Sequence, residues 1–155
     1  MKIYQAWQDF RRENPQVKLN LALGNFDGFH LGHRCLLAKM QEACQKEKAS
    51  SGVFLFHPHP LSKLCGTAPS LLNNDMEKEA LLRYLGIDYL IYQELTQIWA
   101  DMLTQEFVSN ILVKKLQVNH LFVGFNYTFG AKAAGETKLL ARLAQQHGFL
   151  LTVSP

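Results

Sequence analysis

Residues 24–33 read GNFDGFHLGH, ten positions that hold three glycines and two histidines directly after the apolar run 17–23. Val17, Leu19, Leu21, Ala22 and Leu23 predict a largely buried strand that stops at Gly24. Gly24 and Gly28 permit a positive φ and leave no Cβ between backbone and ligand, and Gly32 leaves room for a group pressed against the first turn of the following helix. A helix N-terminus offers unpaired N–H groups and the positive end of a dipole, so the expected occupant is an anion, phosphate above all. His30 and His33 fall three apart across that helix start, which places both imidazoles on one side, where they donate to the same anion. A capping turn with solvated histidines is the competing reading, and it leaves the coincidence of glycines and histidines unexplained.

Composition bounds what surrounds this turn. The chain has 155 residues, 48% of them hydrophobic, enough for one globular domain that buries a core without disulfides or structural metal. A formal charge of +3, with dispersed lysines and arginines, gives no basis for a nucleic-acid partner. Cys35, Cys44 and Cys65 are odd in number and form no CxxC pair, the usage expected of reduced thiols in the cytoplasm, with Cys35 and Cys44 read as core. The polar start, MKIYQAWQDFRR, is no signal peptide, and no apolar run approaches the roughly 18 residues of a membrane span.

Along the chain, Tyr4, Trp7 and Phe10 predict a short helix over 4–12, and Leu36, Leu37, Met40, Ala43 and Cys44 mark the buried face of the helix after the turn. Val53 to Phe56 is the second strand and closes a βαβ unit. The FHPHP loop that follows is stiffened by Pro58 and Pro60 and carries His57 and His59, at a strand end expected to face the first turn. Zinc held by His30, His33, His57 and His59 is a rival reading, although no carboxylate or thiolate has comparable placement. A helix is predicted over 75–85, capped by Asn74 with Glu77 as capping-box partner. A third strand follows over 89–92, then Leu95, Ile98, Trp99 and Met102 as core, and a helix over 105–115 capped by Thr104. The fourth strand, 120–123, ends at Gly124 as the first ended at Gly24. Its loop, GFNYTFG, offers aromatics and an amide between glycines for a planar ring, or else an edge strand with half-buried rings. A last helix over 136–147 and a fifth strand over 149–153 complete the pattern. The expected fold is α/β: a Rossmann-like parallel sheet of about five strands with helices on both faces.

GNFDGFHLGH with its His-x-Gly-His resembles the signature of the nucleotidyltransferase superfamily. Together with FHPHP, EKEALLRYLGID, EFV, LVKKL and VGFNYTFGAKAAGE, it makes nearly the whole chain resemble the adenylyltransferase module of bacterial bifunctional riboflavin kinase/FMN adenylyltransferases. The resemblance implies transfer of AMP from ATP to FMN, with Mg2+, to give FAD and pyrophosphate. It makes His30 and His33 the catalytic pair at the α-phosphate, places Gly24, Asn25, Phe26, Asp27, Gly28 and Gly32 around ATP, and sets Pro58, His59, Pro60, Asn126 and Phe129 along the flavin and its phosphate. His57 stands where the family often has an acidic residue. The family continues into an Ile-Ser-Ser-Thr-x-Ile-Arg segment and a riboflavin kinase domain that lie outside these 155 residues, so a truncated domain or a natural half-enzyme is expected. A nucleotidyltransferase with another acceptor and a non-catalytic flavin- or nucleotide-binding module are the alternatives.

Overall fold

The computed structural model describes residues 1–57 and 75–155. Its centre is a six-stranded sheet in which every pairing is parallel. The strands are β1 (Lys2–Tyr4), β2 (Leu19–Leu23), β3 (Ser50–His57), β4 (Tyr89–Glu94), β5 (Val118–Gly124) and β6 (Leu150–Ser154), in the order β1-β4-β3-β2-β5-β6. The helices are α1 (Trp7–Glu13), α2 (Leu31–Glu47), α3 (Asp75–Tyr84), α4 (Gln97–Ala100), α5 and α6 (Thr137–His147). Helix α5 begins as Thr104–Glu106 and continues in π-helical form over Phe107–Lys115.

Period-two alternation divides the core between the two faces of the sheet. Leu19, Leu21 and Leu23 face one cluster with Phe10 of α1, Val108, Ile111 and Leu112 of α5, and Leu140 and Leu143 of α6. Ala22, Val53, Leu55, Leu90 and Phe122 face the other, under Leu36, Leu37, Met40 and Cys44 of α2 and Leu82 of α3. Helices therefore cover both faces, as the apolar periodicity predicts.

Several expectations are corrected. The described residues form six strands, one more than the five expected: β1 is a three-residue edge strand, in register with β4 through Tyr4 and Ile91, and too short to leave a pattern. Tyr4 is thus strand, and helix α1 starts only at Trp7. Thr104 lies inside its helix, whose N-cap position is Leu103, a residue with no side-chain cap hydrogen bond. The Thr104 methyl group abuts Gly130, where a Cβ would come within 2.7 Å. Ile98 is 77% exposed and Cys35 is exposed, whereas Cys44 is buried. Asn74 and Cys65 lie outside the described residues.

Strand order determines which loops can share a ligand. From β2 the chain moves outward through β3 and β4, then returns to place β5 on the other side of β2. The turn after β2 and the loop after β5 therefore meet at the carboxyl end of the sheet where the winding reverses, the place where open α/β sheets hold their ligands.

Candidate active site

A cavity of about 960 Å³ opens at that point, lined by the turn after β2, the ends of β3 and β5, α4, and the loop after β5. The turn is bent by three left-handed residues: Phe26 at φ 55°, Gly28 at 73° and Phe29 at 42°. Such a conformation is strained for an aromatic residue. Burial of both rings, Phe26 at 1% exposure and Phe29 at 4%, in the core beneath α2 holds it in place. Gly24 has no positive φ; its role is steric, since a Cβ there would stand 3.2 Å from the Phe26 ring.

His30 is the N-cap of α2 and accepts a hydrogen bond on Nδ1 from the Gly32 N–H at 3.1 Å. That bond assigns the proton of the neutral ring to Nε2, which is left as a donor. Gly32 admits the ring: a Cβ would lie 2.9 Å from His30 Cε1 and 3.1 Å from Nδ1. The space expected to receive an anion is thus filled by the imidazole. The first-turn N–H groups of His33 and Arg34 also bond within the helix, to the His30 carbonyl. Donation to a ligand at this helix start falls to the side chains more than to the backbone.

His33 stacks on His30 and also packs against the aromatic floor, with ring centres 5.0 Å from Phe26 and 6.1 Å from Phe29. Its Nδ1 is buried and has no hydrogen-bond partner among the described residues. Burial, followed by repulsion from His30, holds the ring's pKa down to about 4, against an opposing pull from Asp27. His33 is therefore neutral at pH 7. A residue that periodicity did not single out completes the turn: Lys78 of α3, 6% exposed, donates to the Asn25 carbonyl at 3.1 Å and pairs with Asp27 at 3.4 Å. Its signal was a cation on the apolar stripe, four residues before the buried Leu82.

Across the cavity, Phe129 and Gly135 form an antiparallel bridge, and a Cβ on Gly135 would meet the Phe129 ring at 2.6 Å. Tyr127 stacks on Phe129 at 6.0 Å, with the planes only 8° apart, and burial pushes its hydroxyl pKa up. The loop is thus a folded-back turn rather than an edge strand. Asn126 lines the cavity from an exposed position, and Phe129, 5% exposed, closes its base. Phe54, Phe56 and Trp99 pack edge to face along a further wall, ring centres 5.5 Å and 5.6 Å apart for the successive pairs. Trp99, read from sequence as core, is half-buried wall. Ser154 and Pro155 also line the cavity.

Of the sequence-predicted residues, Gly24, Asn25, Phe26, Asp27, Gly32, His30, His33, Asn126 and Phe129 all border this one space, and Gly28 shapes its turn. Pro58, His59 and Pro60 lie outside the described residues. His57 does not face the first turn as expected. Alternation along β3 sends Phe56 into the cavity and His57 into a separate cleft with Gln5, Asp75, Glu79 and Tyr92, 3.6 Å from Asp75. Among the described residues no group of three His, Cys, Asp or Glu side chains can hold a metal ion, and no helix is long and apolar enough to cross a membrane.

A family model described as FAD synthetase matches residues 12–155. The bifunctional riboflavin kinase/FMN adenylyltransferase of Escherichia coli K12 is 38% identical over 139 residues, 89% of this chain and 44% of that protein. The FAD synthetase of Listeria monocytogenes is 33% identical over 137 residues, 87% of this chain and 55% of that protein. The chain thus spans about half the length of these relatives. Among solved structures, a Streptococcus pneumoniae protein titled as a macrolide-efflux protein superposes with TM-score 0.76 at 24% identity, over 90% of this chain and 53% of that one. A Francisella tularensis pantoate-beta-alanine ligase superposes with TM-score 0.65 at 16% identity, over 99% and 66%. At these identities the two superpositions speak to the fold alone.

Proposed function

The chain belongs to the FAD synthetase family, and from that premise we propose that it transfers AMP from ATP to FMN, releasing pyrophosphate and forming FAD. The observation that carries the reading is the pair of stacked imidazoles at the start of α2, facing a cavity whose far walls are aromatic. ATP lies with its triphosphate along the turn 24–33, and the planar ring of FMN lies among the aromatic walls, near Asn126 and Phe129. An FMN phosphate oxygen attacks the α-phosphorus in line; the new O–P bond forms as the bond to the β-phosphate bridge breaks. His30 donates through Nε2–H, and His33 donates beside it, to the α-phosphate oxygens on which charge accumulates. The Phe26 and Phe29 floor keeps water from one side of His33 and so strengthens that donation.

Magnesium usually binds through one or two carboxylates plus substrate phosphates. Asp101 lines the cavity and would hold, together with the substrate phosphates, an Mg2+ ion carried in with the triphosphate, whose chemistry there is neutralisation of phosphate charge. Work in the cytoplasm on small molecules is consistent with the free thiols of Cys35 and Cys44. In the longer polypeptide of the bifunctional relatives, this unit corresponds to the adenylyltransferase part, alongside a riboflavin kinase part. A panel of phosphate acceptors with ATP tests the reading: pyrophosphate release that depends on FMN, matched by FAD, supports it. Release with a pantetheine or pyridine-nucleotide phosphate but not with FMN would replace it.

A further inference from the structure

Lys78 is a cation placed where the apolar stripe of α3 meets the core, 6% exposed and on the same stripe as the buried Leu82. A lysine is retained in such a position only when its charge is matched, since desolvation of an ammonium is costly. Its partners are specific. Nζ donates to the carbonyl of Asn25 at 3.1 Å and pairs with the Asp27 carboxylate at 3.4 Å. These two residues flank Phe26, the residue held at φ 55° whose ring forms the floor under His33. One ammonium therefore spans the strained residue from both sides.

We propose that Lys78 is a positioning residue of the nucleotide turn: it braces Asn25 and Asp27 about Phe26, so fixing the floor that orients His33, and it cancels the Asp27 charge where the triphosphate arrives. The second half rests on the adenylyltransferase reading; the first half does not. An Asp27 carboxylate without the nearby ammonium would repel an incoming tetra-anion and draw a proton onto His33. Among the described residues, the groups that act on His33 are His30 on its own helix, Asp27 on the turn and Lys78 from α3. Asp101 and Lys132 belong to the far walls of the cavity and stay the same in every variant tested.

The test compares Lys78→Met, which keeps most of the side-chain volume but removes the charge, with the double variant Asp27→Asn/Lys78→Met. His33 is followed by NMR titration without ligand, and ATP binding and melting temperature are measured beside it. Lys78→Met should raise the His33 midpoint by about one unit, the ordinary effect of an opposite charge at close range. It should also weaken ATP binding about tenfold through the electrostatics of the site. The double variant should return the midpoint to within about half a unit of the parent, because charges of opposite sign leave together. A folded Lys78→Met protein with an unmoved midpoint and unchanged ATP affinity overturns the proposal and leaves Lys78 a helix anchor. If only the double variant folds, a midpoint displaced by more than about one unit overturns it equally. Titrations that move as expected in a protein that forms no FAD would uphold the brace while refuting the adenylyltransferase reading.

Discussion

The imidazoles of His30 and His33 lie stacked, ring centres 3.8 Å apart and planes 25° from parallel. Burial holds His33 neutral and repulsion within the stack adds to it, and the pair sits on the side of the cavity assigned to the triphosphate. The partners differ: His30 is fixed by its cap bond to Gly32, whereas His33 is fixed by the rings beneath it.

This difference has a pH signature. His33 has a folded pKa of about 4, below its ordinary 6.5. Between these values the unfolded chain takes up a proton that the folded chain does not, so stability falls as pH drops from 6.5 to 4; above 6.5 His33 contributes nothing to the slope. Comparing melting temperatures of the parent and His33→Gln across roughly pH 4 to 8 should give a shallower acid-side decline for the variant and parallel curves on the alkaline side of that window. Identical slopes throughout would show that His33 titrates normally.

A bound polyanion should reverse the shift. Phosphate oxygens placed at the imidazole pair favour the charged form, so ATP should raise the His33 midpoint from about 4. NMR titration with and without ATP reads this directly. An unchanged midpoint would put the triphosphate elsewhere in the cavity.

Gly32→Ala separates helix stability from site geometry. Alanine is the better helix former by about 1 kcal/mol, yet its Cβ would stand 2.9 Å from His30 Cε1 and displace the capping ring. Melting temperature should hold nearly steady while FAD formation falls, a combination that parallel assays of the same preparation will reveal.

Gly135→Ala should instead cost stability. The added Cβ would approach the Phe129 ring within 2.6 Å in a closed, buried bridge. Overpacking of this kind costs about 1–3 kcal/mol, measurable by urea denaturation, and affinity for FMN should weaken more than affinity for ATP.

Where sequence carried the fold, it did so through burial patterns that local residues cannot disguise. The run into β2, the glycine turn and the apolar face of α2 were legible because Leu19, Leu21, Leu36, Leu37, Met40 and Cys44 are all buried as their spacing requires. β1 was illegible because three residues at a sheet edge show no period. The π-helical form of Phe107–Lys115 was hidden because burial of Phe107, Val108, Ile111 and Leu112 suits an α-helix equally well. At the site, the turn and its histidines were readable from the spacing of glycines and histidines directly after an apolar strand. The Trp99 wall and the Lys78 brace were not, because each depends on which distant strand end or turn it meets. The filling of Gly32's space by His30 was also unreadable, since a missing Cβ does not say which group will use the room.

The most direct test of the imidazole account is single-turnover FAD formation from ATP and FMN by the parent and His33→Ala, with ATP affinity measured on the same proteins. Loss of a donor aimed at charge that develops in the transition state should slow turnover about 100- to 1000-fold while ATP binding changes little. Turnover that survives at saturating ATP, with the loss confined to ATP affinity, would contradict the account and reduce His33 to a residue that holds the ground state.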